Sequence, residues 1–126
     1  MKKIVSTNNA PAAIGPYSQA NLVNGVLYIS GQIPIDPSTG NLLDGIEIET
    51  HQVMKNIEAV LKEAKLSFEH IVKTTIFLSD MALFAEVNEV YGTYFNGDYP
   101  ARETVAVKGL PRGVNVEISM TAVVDL

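Results

Sequence analysis

The chain has 126 residues, enough for one domain with its own hydrophobic core, and we expect a single domain spanning residues 1–126. Nine Lys and Arg against 14 Asp and Glu give a formal net charge of −5, which lacks the positive field that nucleic-acid binding requires. The chain contains no cysteine, which excludes disulfides, thiolate metal sites and a cysteine nucleophile.

We expect no signal peptide in the N-terminal segment. Residues 1–19 include two lysines but not the apolar run of a signal peptide. No stretch of the chain approaches the roughly 20 apolar residues of a membrane span. We therefore expect a cytoplasmic protein that does not bind membranes.

The first half of the chain predicts a hairpin, a loop and a helix. Asn24-Gly25 separates two β-rich runs within residues 18–32, and both residues accept the positive φ of a type I′ turn. Pro, Asp, Ser and Gly crowd residues 33–45 and predict a loop. The following stretch, residues 47–68, has an apolar stripe at helical spacing: Val53, Ile57, Val60, Leu61 and Ala64.

The second half predicts a strand, a second helix and two final strands. Residues 71–79 are β-branched and mostly apolar, which is typical of an interior strand. Ser79 or Asp80 can cap a helix in MALFAEVNEVYGTYF, and strands over residues 102–108 and 114–124 are joined by GLPRG. This order predicts an α+β fold, a two-layer domain with both helices on one face of a mixed sheet.

The last two strands each carry one charge of interest, Arg102 and Glu117. Glu117 alternates with the apolar residues of the last strand, and Arg102 alternates with Val105 and Val107. If the apolar sides face the helices, Arg102 and Glu117 share the opposite face. Most of the other residues we assign to that face are small, so we expect it to pack against other subunits and to place both charges in or beside an interface.

Both charges fit a binding or catalytic role, and each has a simpler alternative. Arg102 follows Pro100-Ala101, so its guanidinium projects from a rigid base and can bind a carboxylate through two hydrogen bonds; the alternative is a surface ion pair at a strand end. Glu103 is adjacent, but strand alternation directs it away from Arg102. Glu117 can hold or deprotonate a water if its surroundings raise its pKa, and the alternative is a structural ion pair.

Other polar residues are weaker candidates. Tyr17 follows the Gly15-Pro16 turn and is either a lid over a site or a packing aromatic. Ser30 offers a hydroxyl beside Gly31. Asn88 lies on the second helix and is either a site residue or a cap. The two histidines, His51 and His70, are expected on the solvated surface, and we predict no metal site. Neither GxGxxG nor a Walker-type loop occurs, so nothing indicates a nucleotide cofactor.

Taken together, the sequence resembles the reactive intermediate deaminase (Rid) family, also labelled YjgF-like or endoribonuclease L-PSP. Four stretches in matching order carry the resemblance: NAPAAIGPYSQA, YISGQIPIDPSTG, IVKTTIFLSDMALFAEVNEVY and YPARETVAVKGLPRGVNVEI. The chain is most similar to the RidA subgroup. The resemblance implies a homotrimer with a chorismate-mutase-like fold, whose interface sites hydrolyse 2-imino acids such as 2-iminobutanoate and 2-iminopropanoate to 2-oxo acids and ammonia without a cofactor.

The resemblance also implies roles for the candidate residues. Arg102 would bind the substrate carboxylate and Glu117 would position the hydrolytic water, while the pocket would be lined by Tyr17, Ser30, Gly31 and Asn88. The family's Pro-Ala-Arg is usually followed by Ser and then often by Cys, where this chain has Glu103 and Thr104. Thr104 keeps a backbone donor for the substrate, whereas an inward-turned Glu103 would repel an anion.

Two other functions stay open at this point. One is a non-catalytic regulator that binds 2-oxo acids or similar metabolites, which the charge of Glu103 would favour. The other is a ribonuclease or RNA-binding protein, as the older family label suggests, and the acidic net charge argues against it.

Overall fold

The computed structural model describes all 126 residues, which form six strands and two α-helices. The strands are β1 (Lys3–Val5), β2 (Ala20–Val23), β3 (Val26–Gln32), β4 (Ile71–Leu78), β5 (Ala101–Ala106) and β6 (Val116–Val123), and the helices are α1 (Ile46–Glu63) and α2 (Phe84–Gly92). The predicted order is confirmed except for β1, which the prediction missed because three residues are too few to show a period.

The strands form one mixed sheet in the order β1-β2-β3-β6-β4-β5. Neighbours are antiparallel except β4 and β5, which are parallel. The predicted hairpin turn is present between β2 and β3, with positive φ of 51° at Asn24 and 77° at Gly25. β4 is an interior strand, as its apolar sequence indicates.

Both helices lie on one face of this sheet, which confirms the predicted two-layer α+β architecture. Val53, Ile57 and Leu61 of the predicted stripe are fully buried where α1 packs against β3 and β6, whereas Ala64 follows the end of the helix and is half-buried. α2 packs beside α1 through Val87 and Tyr91. Neither helix combines the length and the hydrophobicity that crossing a membrane would take.

The predicted cap Asp80 caps a short turn before α2, whereas α2 itself begins after Leu83 without a side-chain cap. A 3-10 turn, Met81–Leu83, precedes the helix, and the Asp80 side chain accepts a hydrogen bond of 2.9 Å from the Ala82 backbone N–H. The helix ends at Gly92, so Tyr94 lies beyond it and packs against the ring of Phe68.

The orientation of β5 differs from the prediction. Arg102 pairs with Thr74, whose hydroxyl accepts a hydrogen bond of 3.0 Å from Tyr91 of α2, so Arg102 lies on the helix-covered face. Glu117 pairs with Phe77 and lies on the open face. The prediction that Arg102 and Glu117 share a face is therefore wrong.

The error has a physical cause in the composition of an edge strand. β5 has apolar side chains on both faces, Val105 on the open face and Ala106 on the other, so alternation alone does not fix which face is buried. Aromatic rings on α2 give the guanidinium a favourable place on the helix side. Val105 accordingly remains 40% exposed on the open face.

Candidate functional site

Glu117 lies at the wall of a cavity of about 580 Å³ on the open side of the molecule. The cavity is formed by the N-terminal loop, the end of β3, the loop that follows it, and the turn that precedes β6. Its lining residues are Pro11, Ala12, Ile14, Tyr17, Gln19, Ser30, Gly31, Gln32, Ile33, Ile35, Pro111, Arg112 and Glu117. We call it the Glu117 cavity.

A glycine at position 31 lets β3 pass directly beside the Glu117 carboxylate. The pairing of β3 with β6 shifts between Ile29 and Gln32, so residues 30 and 31 form an irregularity next to Glu117. A Cβ built on Gly31 would overlap the carboxylate and lie 2.8 Å from its Cδ. Only glycine therefore leaves the carboxylate its present position.

The Glu117 side chain has neither a hydrogen-bond partner nor an ion pair. The chain has two ion pairs, Lys62–Glu58 and Lys73–Glu103, and neither involves it. Partial burial raises the pKa of Glu117 above its ordinary value. The structural-ion-pair alternative for Glu117 is thus wrong for the single chain, and a carboxylate with a raised pKa suits proton transfer near neutral pH.

Ser30 and Tyr17 have different positions in the cavity. The Ser30 hydroxyl donates a 2.6 Å hydrogen bond to the Ser18 carbonyl, and its backbone N–H donates to Gln19 at 2.9 Å. These bonds hold the loop that carries Tyr17 against β3. The Tyr17 ring is 54% exposed and lines the cavity, which fits a lid better than a packing aromatic.

Arg102 borders a second depression, of about 500 Å³, between α2 and the start of β5. Its Nη1 donates a 2.7 Å hydrogen bond to Asn88 Oδ1. The guanidinium carbon lies 5.1 Å from the centre of the Tyr91 ring and 5.6 Å from that of Phe84. No carboxylate pairs with Arg102, so its other N–H donors remain available; we call this depression the Arg102 cleft.

Glu103 and Thr104 point to opposite faces of β5. One Glu103 oxygen accepts a 2.6 Å hydrogen bond from Lys73 Nζ and the other accepts from the Thr75 hydroxyl, and these bonds lower the pKa of Glu103. Glu103 is thus directed away from Arg102 and is neutralised by Lys73. Thr104 lies on the Arg102 side, where its hydroxyl is buried without a hydrogen-bond partner.

The candidate residues therefore fall into two groups. Tyr17, Ser30, Gly31 and Glu117 meet at the Glu117 cavity, whereas Asn88 and Arg102 meet at the Arg102 cleft. The two groups are on opposite faces of the sheet within one chain.

Sequence reasoning missed two polar residues. Arg112 lines the Glu117 cavity, although GLPRG was interpreted only as a connection; its place directly before the Glu117 strand was a usable signal, because strand-end loops often carry site residues. His51 was predicted to be solvated but is half-buried, with Nδ1 2.8 Å from the Tyr94 hydroxyl.

Comparison with known proteins identifies the family. The family model described as endoribonuclease L-PSP matches residues 7–124. The chain belongs to this family. It is 51% identical to the 2-iminobutanoate/2-iminopropanoate deaminase of Mus musculus, over 98% of this chain and 92% of the relative. It is 50% identical to AldR of Lactococcus lactis, named as a candidate regulator, over 95% of this chain and 96% of that protein.

A solved structure supports the same assignment to the L-PSP family. A Rid-family protein of unknown function from Yersinia pestis, YyfA, superposes with a TM-score of 0.96 at 52% identity, covering 98% of this chain and 99% of that one. The predicted Rid resemblance and the predicted fold class are confirmed.

Proposed function

We propose that the protein is a deaminase that hydrolyses small 2-imino acids, such as 2-iminobutanoate and 2-iminopropanoate, to 2-oxo acids and ammonia without a cofactor. The observation that carries the proposal is the unpaired, partly buried Glu117 carboxylate beside Gly31, with its raised pKa. The name of the mouse relative, 51% identical to this chain, supports the same reaction. A cytoplasmic location remains a prediction, as does the absence of nucleic acid and membrane among its partners.

We further propose that the active site is shared between subunits of a homotrimer. Arg102 and Glu117 are on opposite faces in one chain, so one chain cannot apply both to a small substrate. The open face leaves large apolar side chains exposed, with Tyr28 at 50%, Val72 at 41% and Val105 at 40%. Such a face suits burial against another copy, which would bring the Arg102 cleft of one subunit to the Glu117 cavity of the next.

In this shared site, Arg102 binds the substrate carboxylate. Its guanidinium keeps free N–H donors after bonding Asn88, and two parallel hydrogen bonds to a carboxylate fix both position and orientation. Asn88 and the rings of Tyr91 and Phe84 hold the guanidinium in place beforehand, which lowers the entropy lost on binding. The backbone N–H of Thr104 is a further donor for the same carboxylate.

Glu117 handles the proton of the attacking water. It accepts a proton as the water oxygen bonds to the imine carbon and passes that proton to the imine nitrogen, which gives a carbinolamine. The carbinolamine hydroxyl then gives up its proton, which Glu117 transfers to the amino nitrogen. The C–N bond breaks, its electron pair leaves with ammonia, and the C=O bond forms. The atoms balance as imino acid plus water gives 2-oxo acid plus ammonia. Tyr17, Ser30 and Gly31 line the space around this reaction.

A regulator that binds 2-oxo acids without turnover is the second candidate, because AldR, 50% identical to this chain, is named as a candidate regulator. The sequence feature that favoured this alternative was Glu103. In the single chain Glu103 is bonded to Lys73 and Thr75 and faces away from Arg102. The repulsion it would cause at the anion site is thereby removed.

Turnover measured beside binding separates the two candidates. We expect purified protein to speed the release of ammonia and 2-oxobutanoate from 2-iminobutanoate generated in the assay by an amino acid oxidase. In crystals soaked with 2-oxobutanoate, we expect the carboxylate at Arg102. Binding of the 2-oxo acid with no acceleration of imine hydrolysis would favour the regulator.

A further inference from the structure

Arg112 is a cation with no partner in the Glu117 cavity. Arg112 is among the residues that line the cavity, is exposed to solvent, and makes no hydrogen bond or ion pair within the chain. The cavity's only carboxylate, Glu117, is also unpaired, so the two opposite charges share one cavity without an N–O distance of 4.0 Å or less between them. Both charges therefore remain available to a ligand.

The backbone at Arg112 is an unusual place for an arginine. Arg112 has φ 56° and ψ 18°, in the left-handed region, and Gly113 follows with φ 69°. Glycine or asparagine meets this conformation at lower cost, and non-glycine residues held there are enriched at functional sites. Arginine at this position is thus not explained by the turn itself.

The remaining wall and the size of the cavity also matter for what it can bind. The rest of the wall includes the apolar side chains of Ile14, Ile33 and Ile35. A cavity of about 580 Å³ is far larger than a four-carbon imino acid, so room remains beyond the reacting carbon.

We propose that Arg112 binds a second, distal carboxylate of the substrate, so that the protein also hydrolyses 2-imino dicarboxylates such as 2-iminoglutarate. This inference rests on the proposed function and extends its substrate class. Arg102 holds the carboxylate next to the imine carbon, Glu117 handles the water, and the acidic side chain extends along the apolar wall to Arg112. The balance is unchanged, since 2-iminoglutarate and water give 2-oxoglutarate and ammonia, and Arg112 forms no covalent bond.

The chain offers a closely matched control for Arg112. Lys65 is exposed, has φ 61° and lies outside the cavity, after the end of α1. Arg112→Asn and Lys65→Asn therefore each remove one positive charge at a left-handed position. Asn accepts that conformation, so both variants should keep the fold.

The test is the ratio of kcat/KM for 2-iminoglutarate to kcat/KM for 2-iminobutanoate, with each imine generated by an oxidase of the parent amino acid. We expect Arg112→Asn to lower this ratio at least about tenfold, as for the loss of one charge-assisted pair, mainly through KM for 2-iminoglutarate. Lys65→Asn should leave the ratio unchanged.

Each other outcome overturns a defined part of the account. An equal loss for both imines in Arg112→Asn would show that Arg112 serves the common carboxylate or the water and not a distal group. A parent that hydrolyses 2-iminobutanoate but not 2-iminoglutarate would refute the inference while leaving the proposed function intact. A parent that hydrolyses neither imine would refute the proposed function itself.

Discussion

The Glu117 cavity and the Arg102 cleft each place one charge beside the sheet, but they differ in whether that charge has partners within the chain. Glu117 has no partner, and partial burial raises its pKa. Arg102 is held by Asn88 and by two aromatic rings before any ligand arrives. Perturbed, unpaired groups are typical of chemistry and preorganised donors are typical of binding, so the two regions divide the proposed reaction between them.

Substitution of Glu117 in the Glu117 cavity should have the largest effect on activity. Glu117→Gln keeps the shape of the side chain but cannot accept a proton, so we expect kcat for 2-iminobutanoate to fall by about 10²–10⁴-fold, the usual contribution of a general base. Binding of 2-oxobutanoate should change little. Glu69→Gln, which removes an exposed carboxylate elsewhere, is the control. A variant with near-parental kcat would show that Glu117 takes no part in the proton transfer.

Gly31→Ala tests whether the position of the Glu117 carboxylate matters as well as its presence. The added Cβ would overlap the carboxylate, whose flexible end can move aside, so we expect activity to fall roughly 100-fold with little loss of thermal stability. Gly109→Ala is matched, because a Cβ there meets nothing within 4 Å. Parental activity in Gly31→Ala would contradict the tight arrangement at the cavity wall.

Substitution of Arg102 should lower kcat/KM by less than substitution of Glu117 lowers kcat. Arg102→Ala removes a charge-assisted pair of about 1.5–3 kcal/mol, which corresponds to a loss of roughly 10–100-fold in kcat/KM. Arg102→Lys should recover little, because an ammonium cannot form two parallel hydrogen bonds to a carboxylate. Full recovery by lysine would show that the cleft supplies charge alone.

The smallest expected effect is on the pH dependence of the free energy of unfolding. Because its pKa is raised, Glu117 holds its proton more tightly in the folded chain than in the unfolded chain. The free energy of unfolding therefore falls as the pH rises from the ordinary pKa through the raised pKa and Glu117 ionises. We expect the free energy of unfolding of Glu117→Gln to exceed the parent's at pH 7. The difference should vanish below the ordinary pKa of 4.5, where the carboxyl is protonated in both states. Chemical denaturation across this range checks it, and a less stable variant at pH 7 would indicate a hidden ion pair.

The sequence was sufficient to predict the parts of the fold that follow a clear period. Helix α1 and strand β6 each have one apolar side, so their buried faces were predictable. The Asn24-Gly25 turn likewise predicted the pairing of β2 with β3. β5 has apolar residues on both sides and lies at the sheet edge, so its orientation depended on the rings of α2. Tertiary contacts of this kind leave no local signal.

The candidate site was predictable in its residues but not in its geometry. The quoted motifs pointed to both charged residues, and the structure places each at a cavity wall. Their separation on two faces depended on the orientation of β5. Arg112 was missed because the GLPRG turn before β6 was interpreted only as a connection, although its place at a strand end was a usable signal.

The most direct test of the shared site is complementation between two inactive chains. Arg102→Ala and Glu117→Gln chains are co-expressed in equal amounts, so that they mix at random in the trimers. Each interface takes Arg102 from one chain and Glu117 from another. About one quarter of all interfaces therefore contain both a native Arg102 and a native Glu117. We predict that mixed trimers, isolated through different tags, recover about one third of the parental rate of 2-iminobutanoate hydrolysis, because each mixed trimer has one fully native interface among its three. A mixture no more active than the two variants alone would contradict a site built from two subunits.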